Sequence, residues 1–242
     1  MPDKSGERPL AVLLDMDGTL VDTEGLWWAA TSSVAHSLGT SLSPDDTPHV
    51  LGRTVEDTAA FLLTLVPHTS PYPFGSPDSS GSHGSPGSHN FPGFHGFPGS
   101  LDETVRRLTA SFASLVGQGV RVFPGVHALL GELSRANVRT ALVSASPREI
   151  VDLVLPVLGH PFDLVLAAED TARGKPYPDP YLEAAKRLSV PPERCVAVED
   201  SPTGIAAATA AGCQVIAVSP EKDDESLHFQ ALLERISSQV GL

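Results

Sequence analysis

Five short aliphatic runs limit what this chain can fold into: 10-LAVLLD-15, 138-VRTALVSA-145, 164-LVLAAE-169, 195-CVAVED-200 and 215-VIAVSP-220. None alternates between apolar and polar residues. A strand with one wet face alternates, and a strand covered on both faces does not. These runs therefore fit a parallel sheet enclosed between two layers of helix. Helical stretches separate the later runs. Segment 147-PREIVDLVLPVL-158 follows Ser146, with Pro147 at the first helical position and Glu149 placed for a capping box. Segment 180-PYLEAAKRL-188 follows Asp179 in the same way, and 202-PTGIAAATAA-211 follows Ser201 and stops at Gly212. Strand–helix alternation with short connections predicts a doubly wound α/β layer.

The first run breaks that rhythm. After Asp15 the next core strand begins near residue 138, and the intervening part carries helix formers in 26-LWWAATSSVAHSL-38, 54-TVEDTAAFLLTLV-66 and 101-LDETVRRLTASFASLV-116. Residues 22–118 read as a helical insertion beside a core built from 1–21 and 119–242. Within it, residues 67–100 turn to Gly, Ser, Pro, His and Phe, with three hexapeptides in a row (GSHGSP, GSHNFP, GFHGFP). Each unit has too little apolar surface to offset ordering entropy, so the segment reads as a flexible loop. A metal site from His83, His89 and His95 would need a scaffold that Gly-Ser-Pro does not supply.

Composition excludes several roles. The net charge of −13 argues against nucleic acid and anionic membrane surfaces, which reward a basic stripe. No apolar run is long enough to cross a bilayer, and Leu10–Leu14 is too short for a signal peptide, so the expected compartment is the cytoplasm. Cys195 and Cys213 stand at or before apolar runs and read as a buried, reduced pair.

Doubly wound sheets bind ligands at the carboxyl ends of their strands. Here those ends carry Asp15 and Asp17, then Ser144, then Lys175 in the loop 173-RGKPYPDP-180, then Glu199 and Asp200. Four carboxylates gathered in one crevice repel one another. A hard divalent cation with oxygen ligands resolves this, and Mg2+ suits a site that also admits a phosphate oxygen. Lys175 and the Ser144 hydroxyl would hold further phosphate oxygens, and an aspartate can itself attack phosphorus.

The segments 15-DMDGT-19, 142-LVSAS-146, 174-GKP-176 and 199-EDSPTGI-205 resemble, in order, the four motifs of the haloacid dehalogenase superfamily. The resemblance implies a Rossmann-like core with a helical cap inserted after the first strand. It implies Asp15 as nucleophile and Asp17 as the acid that protonates the leaving oxygen and then activates water. It implies Mg2+ held by Asp15, the Asp17 main-chain carbonyl and Asp200, with Glu199 ligating directly or through water, and phosphate held by Ser144, Ala145 and Lys175. Segment 21-VDTEGLWW-28 is similar to the cap entrance of sugar- and polyol-phosphate phosphatases, where Glu24 and Trp27 would face substrate. Arg53, in 52-GRTVED-57, lies where relatives contact substrate.

Within that superfamily a dehalogenase would not need Asp17, and a phosphonate-cleaving relative needs a cap lysine. No lysine occurs between residues 5 and 174. A β-phosphoglucomutase-like isomerase carries a histidine where Trp27 stands and also uses a cap lysine. The sequence therefore points to a phosphatase of a small phosphorylated metabolite. The isomerase and a non-catalytic phosphate-binding module are the alternatives.

Overall fold

The computed structural model describes residues 11–66 and 99–218, together with Glu234 and Ile236. The three hexapeptides with His83, His89 and His95 lie outside the described residues. Five parallel strands form one sheet: β1 (Ala11–Leu14), β4 (Arg139–Val143), β5 (Leu164–Leu166), β6 (Cys195–Glu199) and β7 (Gln214–Ala217), in the order β5-β4-β1-β6-β7. β1 is central, with Leu14 opposite Leu142 on one side and Val198 on the other. Alternate residues of β1 go to opposite faces, as the twofold strand period requires. Val12 and Leu14 join a core with Leu129, Leu133, Ile150 and Val154, from α5 (Val126–Arg135) and α6 (Arg148–Leu158). Ala11 and Leu13 join Tyr181, Ala184, Ala207 and Ala208, from α7 (Asp179–Arg187) and α8 (Pro202–Ala210). Small residues on that second face let both helices approach the sheet closely.

Between β1 and β4 the chain forms α1 (Glu24–Ser37), α2 (Thr47–Val50), α3 (Val55–Leu65) and α4 (Leu101–Gly117). α4 packs against both α1 and α3. The two crossings of this insertion are zipped by an antiparallel ribbon that the sequence did not announce. β2 (Val21–Asp22) pairs with β3 (Arg121–Val122), and Asp22 meets Arg121 at 2.6 Å. Two-residue strands are too short to leave a periodicity.

Two helix starts differ from the sequence reading. Pro147 is the residue before α6, with an extended ψ of 151°, and its own side chain makes no capping bond. The carboxylate of Glu169 accepts the Arg148 N–H at 3.0 Å instead, so the expected capping box with Glu149 is replaced by a distant acid. Asp179 is the first helical residue of α7 rather than its cap, and it pairs with Arg173 at 2.9 Å. Ser201 caps α8 as expected, its hydroxyl accepting the Gly204 N–H at 3.0 Å, and Gly212 turns the chain with φ +88°.

Candidate active site

All four motif segments meet at the carboxyl edge of the sheet. Asp15 directly follows β1 and is held in line when its N–H donates to the Val198 carbonyl at 3.1 Å. Lys175 reaches across from the loop after β5. Its ammonium donates to Asp15 at 2.5 Å, to the Val143 carbonyl at 3.0 Å and to Glu199. This ion set is buried: the side chains of Lys175 and Asp15 are 5% and 8% exposed, and that of Glu199 is 0% exposed. Asp200 is fixed by the Thr19 hydroxyl at 3.0 Å. Asp15, Glu199 and Asp200 each offer an oxygen within 4.8 Å of the others, an oxygen-only set that could hold a hard cation.

Two motif glycines are explained by these carboxylates. A β-carbon on Gly18 would lie 2.2 Å from Asp200 Oδ2, and φ there is +78°. A β-carbon on Gly204 would lie 1.9 Å from Glu199 Oε1. Both acids are seated directly on backbone.

Asp17 is gripped by three hydroxyls. Thr23 donates to one oxygen at 2.7 Å; Ser146 and Ser144 donate to the other at 2.8 and 3.3 Å. Ser144 also accepts the Ser146 N–H at 2.9 Å, so its hydroxyl closes the turn after β4 while Ala145 and Ser146 face the opening. The opening is a crevice, and Asp15, Asp17, Lys175 and Asp200 lie along it. Glu24, Trp27 and Arg53 line it from the insertion, with an apolar wall completed by Leu51, Val55 and Phe112. Trp27 stands edge-on to Phe112 at 5.2 Å, and its indole N–H donates to the Val50 carbonyl at 2.9 Å, leaving the crevice only its apolar surface. The exposed Arg53 donates through Nε to the Pro48 carbonyl at 2.9 Å, and Glu24 is exposed at the start of α1.

The model of the haloacid dehalogenase-like hydrolases matches residues 9–212. The chain belongs to this hydrolase family. It is 31% identical to hexitol phosphatase B of Escherichia coli (strain K12) over 236 residues, covering 96% of this chain and 94% of that one. It is 31% identical to the protein CbbY of Cereibacter sphaeroides over 245 residues, with the same coverage. Among solved structures it is similar to CbbY from Rhodobacter sphaeroides in complex with xylulose-(1,5)bisphosphate, with TM-score 0.67, 29% identity and 87% and 86% of the two chains covered. It is also similar to a putative β-phosphoglucomutase from Thermotoga maritima, with TM-score 0.60, 26% identity and 93% and 90% covered.

The electrostatics of the hydrolase site follow from burial. Desolvation, reinforced by the neighbouring Glu199 charge, pushes the Asp15 carboxyl well above its ordinary range, against the pull of Lys175. Burial also raises Asp17, with the Thr23, Ser146 and Ser144 hydroxyls opposing it. Asp200 is pushed up to about 6 by burial and then by Glu199. Burial alone would depress Lys175, but the Asp15 and Glu199 charges more than offset it and its pKa rises. A cation at the acidic cluster would relieve the carboxylates together. Thr19, Thr23, Ser146 and Tyr181 are the partners that sequence reasoning missed. Ser146 was visible only as a helix-start serine, and Thr23 only as part of a cap-entrance motif.

Proposed function

We propose that this hydrolase is a Mg2+-dependent phosphatase that removes phosphate from a small phosphomonoester, a sugar or polyol phosphate, through a phosphoryl group held on Asp15. One observation carries the reading: Asp15, Asp17, Lys175 and Asp200, drawn from distant parts of the chain, line one crevice. The names of the relatives, hexitol phosphatase B and CbbY with its bound sugar bisphosphate, supply the substrate class.

Bound Mg2+ supplies charge neutralisation for the phosphoryl oxygens. The residues that would hold it are Asp15, Asp200 and the Asp17 main-chain carbonyl. Glu199 completes the acidic set, with its oxygens already accepting Lys175, Tyr181 and Ser201. An Asp15 oxygen attacks phosphorus while the bond from phosphorus to the substrate alcohol oxygen breaks. Asp17, inclined to hold a proton by its burial, gives that proton to the departing oxygen. Water then attacks the Asp15 phosphoryl group, Asp17 takes back a proton, and inorganic phosphate leaves. Lys175 remains beside Asp15 throughout to balance the oxygens that carry the developing charge.

Hydrolysis rather than isomerisation is favoured by Trp27, whose one donor is spent on the Val50 carbonyl, and by an insertion without lysine. We read residues 22–118 as a cap that sets substrate choice. The free thiols of Cys195 and Cys213 fit a reducing compartment, the cytoplasm. Among the described residues no helix is long and apolar enough to cross a membrane. The test is release of phosphate from p-nitrophenyl phosphate and from a panel of hexitol and pentose phosphates, with and without Mg2+. Mg2+-dependent release supports the reading, and no release from any ester removes it. Conversion of a hexose 1-phosphate to the 6-phosphate would instead establish the isomerase.

A further inference from the structure

Among the described residues, Tyr181 is the bulkiest side chain that is completely enclosed. A phenylalanine would fill the same space on the second face of the sheet, so the buried hydroxyl requires a reason, because leaving it unbonded is costly. Its partner is a carboxylate: the hydroxyl donates to Glu199 Oε1 at 2.5 Å, a charge-assisted distance.

Glu199 has few acceptor positions to spare. A carboxylate offers roughly four lone-pair directions, two on each oxygen. Oε1 takes Lys175 and Tyr181, and Oε2 takes the Ser201 hydroxyl at 3.1 Å and the Ser201 N–H at 3.4 Å. Lys175 is equally committed, because its three ammonium protons go to Asp15, to the Val143 carbonyl and to Glu199. When a phosphate oxygen arrives, one of those three bonds must be shared. The Val143 carbonyl is fixed in β4 and cannot follow, and Asp15 is the group that reacts. Glu199 is the remaining anchor, and it is only as rigid as its own partners.

We propose that Tyr181 is a positioning residue of the phosphoryl-transfer site: its hydrogen bond turns Glu199 toward Lys175 and so keeps the ammonium beside Asp15, where an incoming phosphate oxygen meets it. The inference rests on the phosphatase reading above and adds to it a residue that touches neither substrate nor cation. The Lys175 ammonium also lies 5.4 Å from the centre of the Tyr181 ring, so the same side chain faces both members of the anchor.

The test compares the full-length wild-type chain with Tyr181→Phe, Glu199→Gln and the double variant. Inorganic phosphate binding is measured calorimetrically in saturating Mg2+, kcat and KM on p-nitrophenyl phosphate, and thermal unfolding as a control. Tyr181→Phe keeps the ring and is expected to unfold near the wild-type temperature. It should weaken phosphate binding and lower kcat/KM each by about tenfold, the scale of one hydrogen bond to a charged group. In the Glu199→Gln background the same change should cost much less, because the amide oxygen that replaces the carboxylate accepts the hydroxyl only as a neutral partner. Wild-type phosphate affinity and kcat/KM in Tyr181→Phe would overturn the proposal, as would effects of the two changes that multiply, or a loss that tracks unfolding temperature alone. A wild-type chain that binds phosphate but hydrolyses no ester removes the phosphatase reading and leaves the binding cycle to decide Tyr181. A chain that binds no phosphate removes both.

Discussion

The two walls of the crevice are built on different principles. On the sheet side, Lys175, Asp15 and Glu199 hold one another in a buried ion set, and two acids rest against glycine backbone. On the insertion side, Trp27 and Arg53 are tied to nearby carbonyls of the same segment, at Val50 and Pro48. The sheet wall is therefore over-determined by long-range contacts, and each member depends on the rest. The insertion wall is supported from within the insertion, Trp27 by Val50 and Phe112 and Arg53 by Pro48, and none of these contacts is an ion pair. This difference suits a fixed chemical step facing a replaceable substrate surface.

The comparison breaks most visibly at Asp15. Asp15→Asn should lower kcat by roughly 10⁴-fold or more, as loss of a nucleophile does, without unfolding the chain. Steady-state hydrolysis beside a thermal melt checks this. Lys175→Met should cost about 10²- to 10³-fold in kcat/KM, the scale of losing an electrostatic contact to the transition state. It should also lower the melting temperature, because it leaves Asp15 and Glu199 buried without their cation.

A pair of glycine substitutions sharpens the contrast. Gly204→Ala drives a β-carbon into Glu199 and should destabilise by about 3 kcal/mol or more. Gly52→Ala, on the crevice's other wall, meets nothing within 4 Å and should cost only the strain of φ +67°, about 1 kcal/mol. Chemical denaturation of both variants gives the difference.

Protons distinguish the walls as well. Folded Asp200 keeps its proton up to about pH 6, against an ordinary 3.8. Between those values the folded state binds more protons than the unfolded one, so stability falls as pH rises. Without a divalent cation this contribution is complete below about pH 3.8 and gone above about pH 6. Relative to Asp200→Asn, the wild-type chain should lose up to about 2 kcal/mol between pH 4 and 7 in a chelator, and Mg2+ at pH 7.5 should restore it. Melting curves across pH for both chains measure this. The smallest effect is expected on the insertion wall: Arg53→Gln should raise KM about threefold for a preferred sugar phosphate and leave kcat within about twofold, the mark of a contact made equally in ground and transition states.

How much was legible depended on how far apart the interacting residues lie. The five strands could be read because β1, β4 and β6 are buried almost throughout and the edge strands β5 and β7, though partly exposed, keep mainly apolar runs. Asp15, Asp17, Lys175 and Asp200 could be placed together because strand ends of a doubly wound sheet share one edge. Helix caps were less readable: Pro147 and Asp179 each sit one position from where local chemistry put them, because Glu169 and Arg173 supply partners that no nearby residue announces. Tyr181 looks like any aromatic on a buried helix face, and only the close packing of α7 on the sheet brings its hydroxyl to Glu199. The apolar character of the Trp27 contact was likewise hidden, because it follows from a hydrogen bond to Val50, 23 residues away.

The most direct test is to stop turnover with acid while a preferred sugar phosphate is being hydrolysed, reduce the protein with borohydride, and locate the modified residue by peptide mass spectrometry. An acyl phosphate on Asp15 is reduced to an alcohol, so homoserine should appear at position 15, require Mg2+ and vanish in Asp15→Asn. Sustained hydrolysis with residue 15 recovered only as unmodified aspartate, or with homoserine at another acid, would contradict the account.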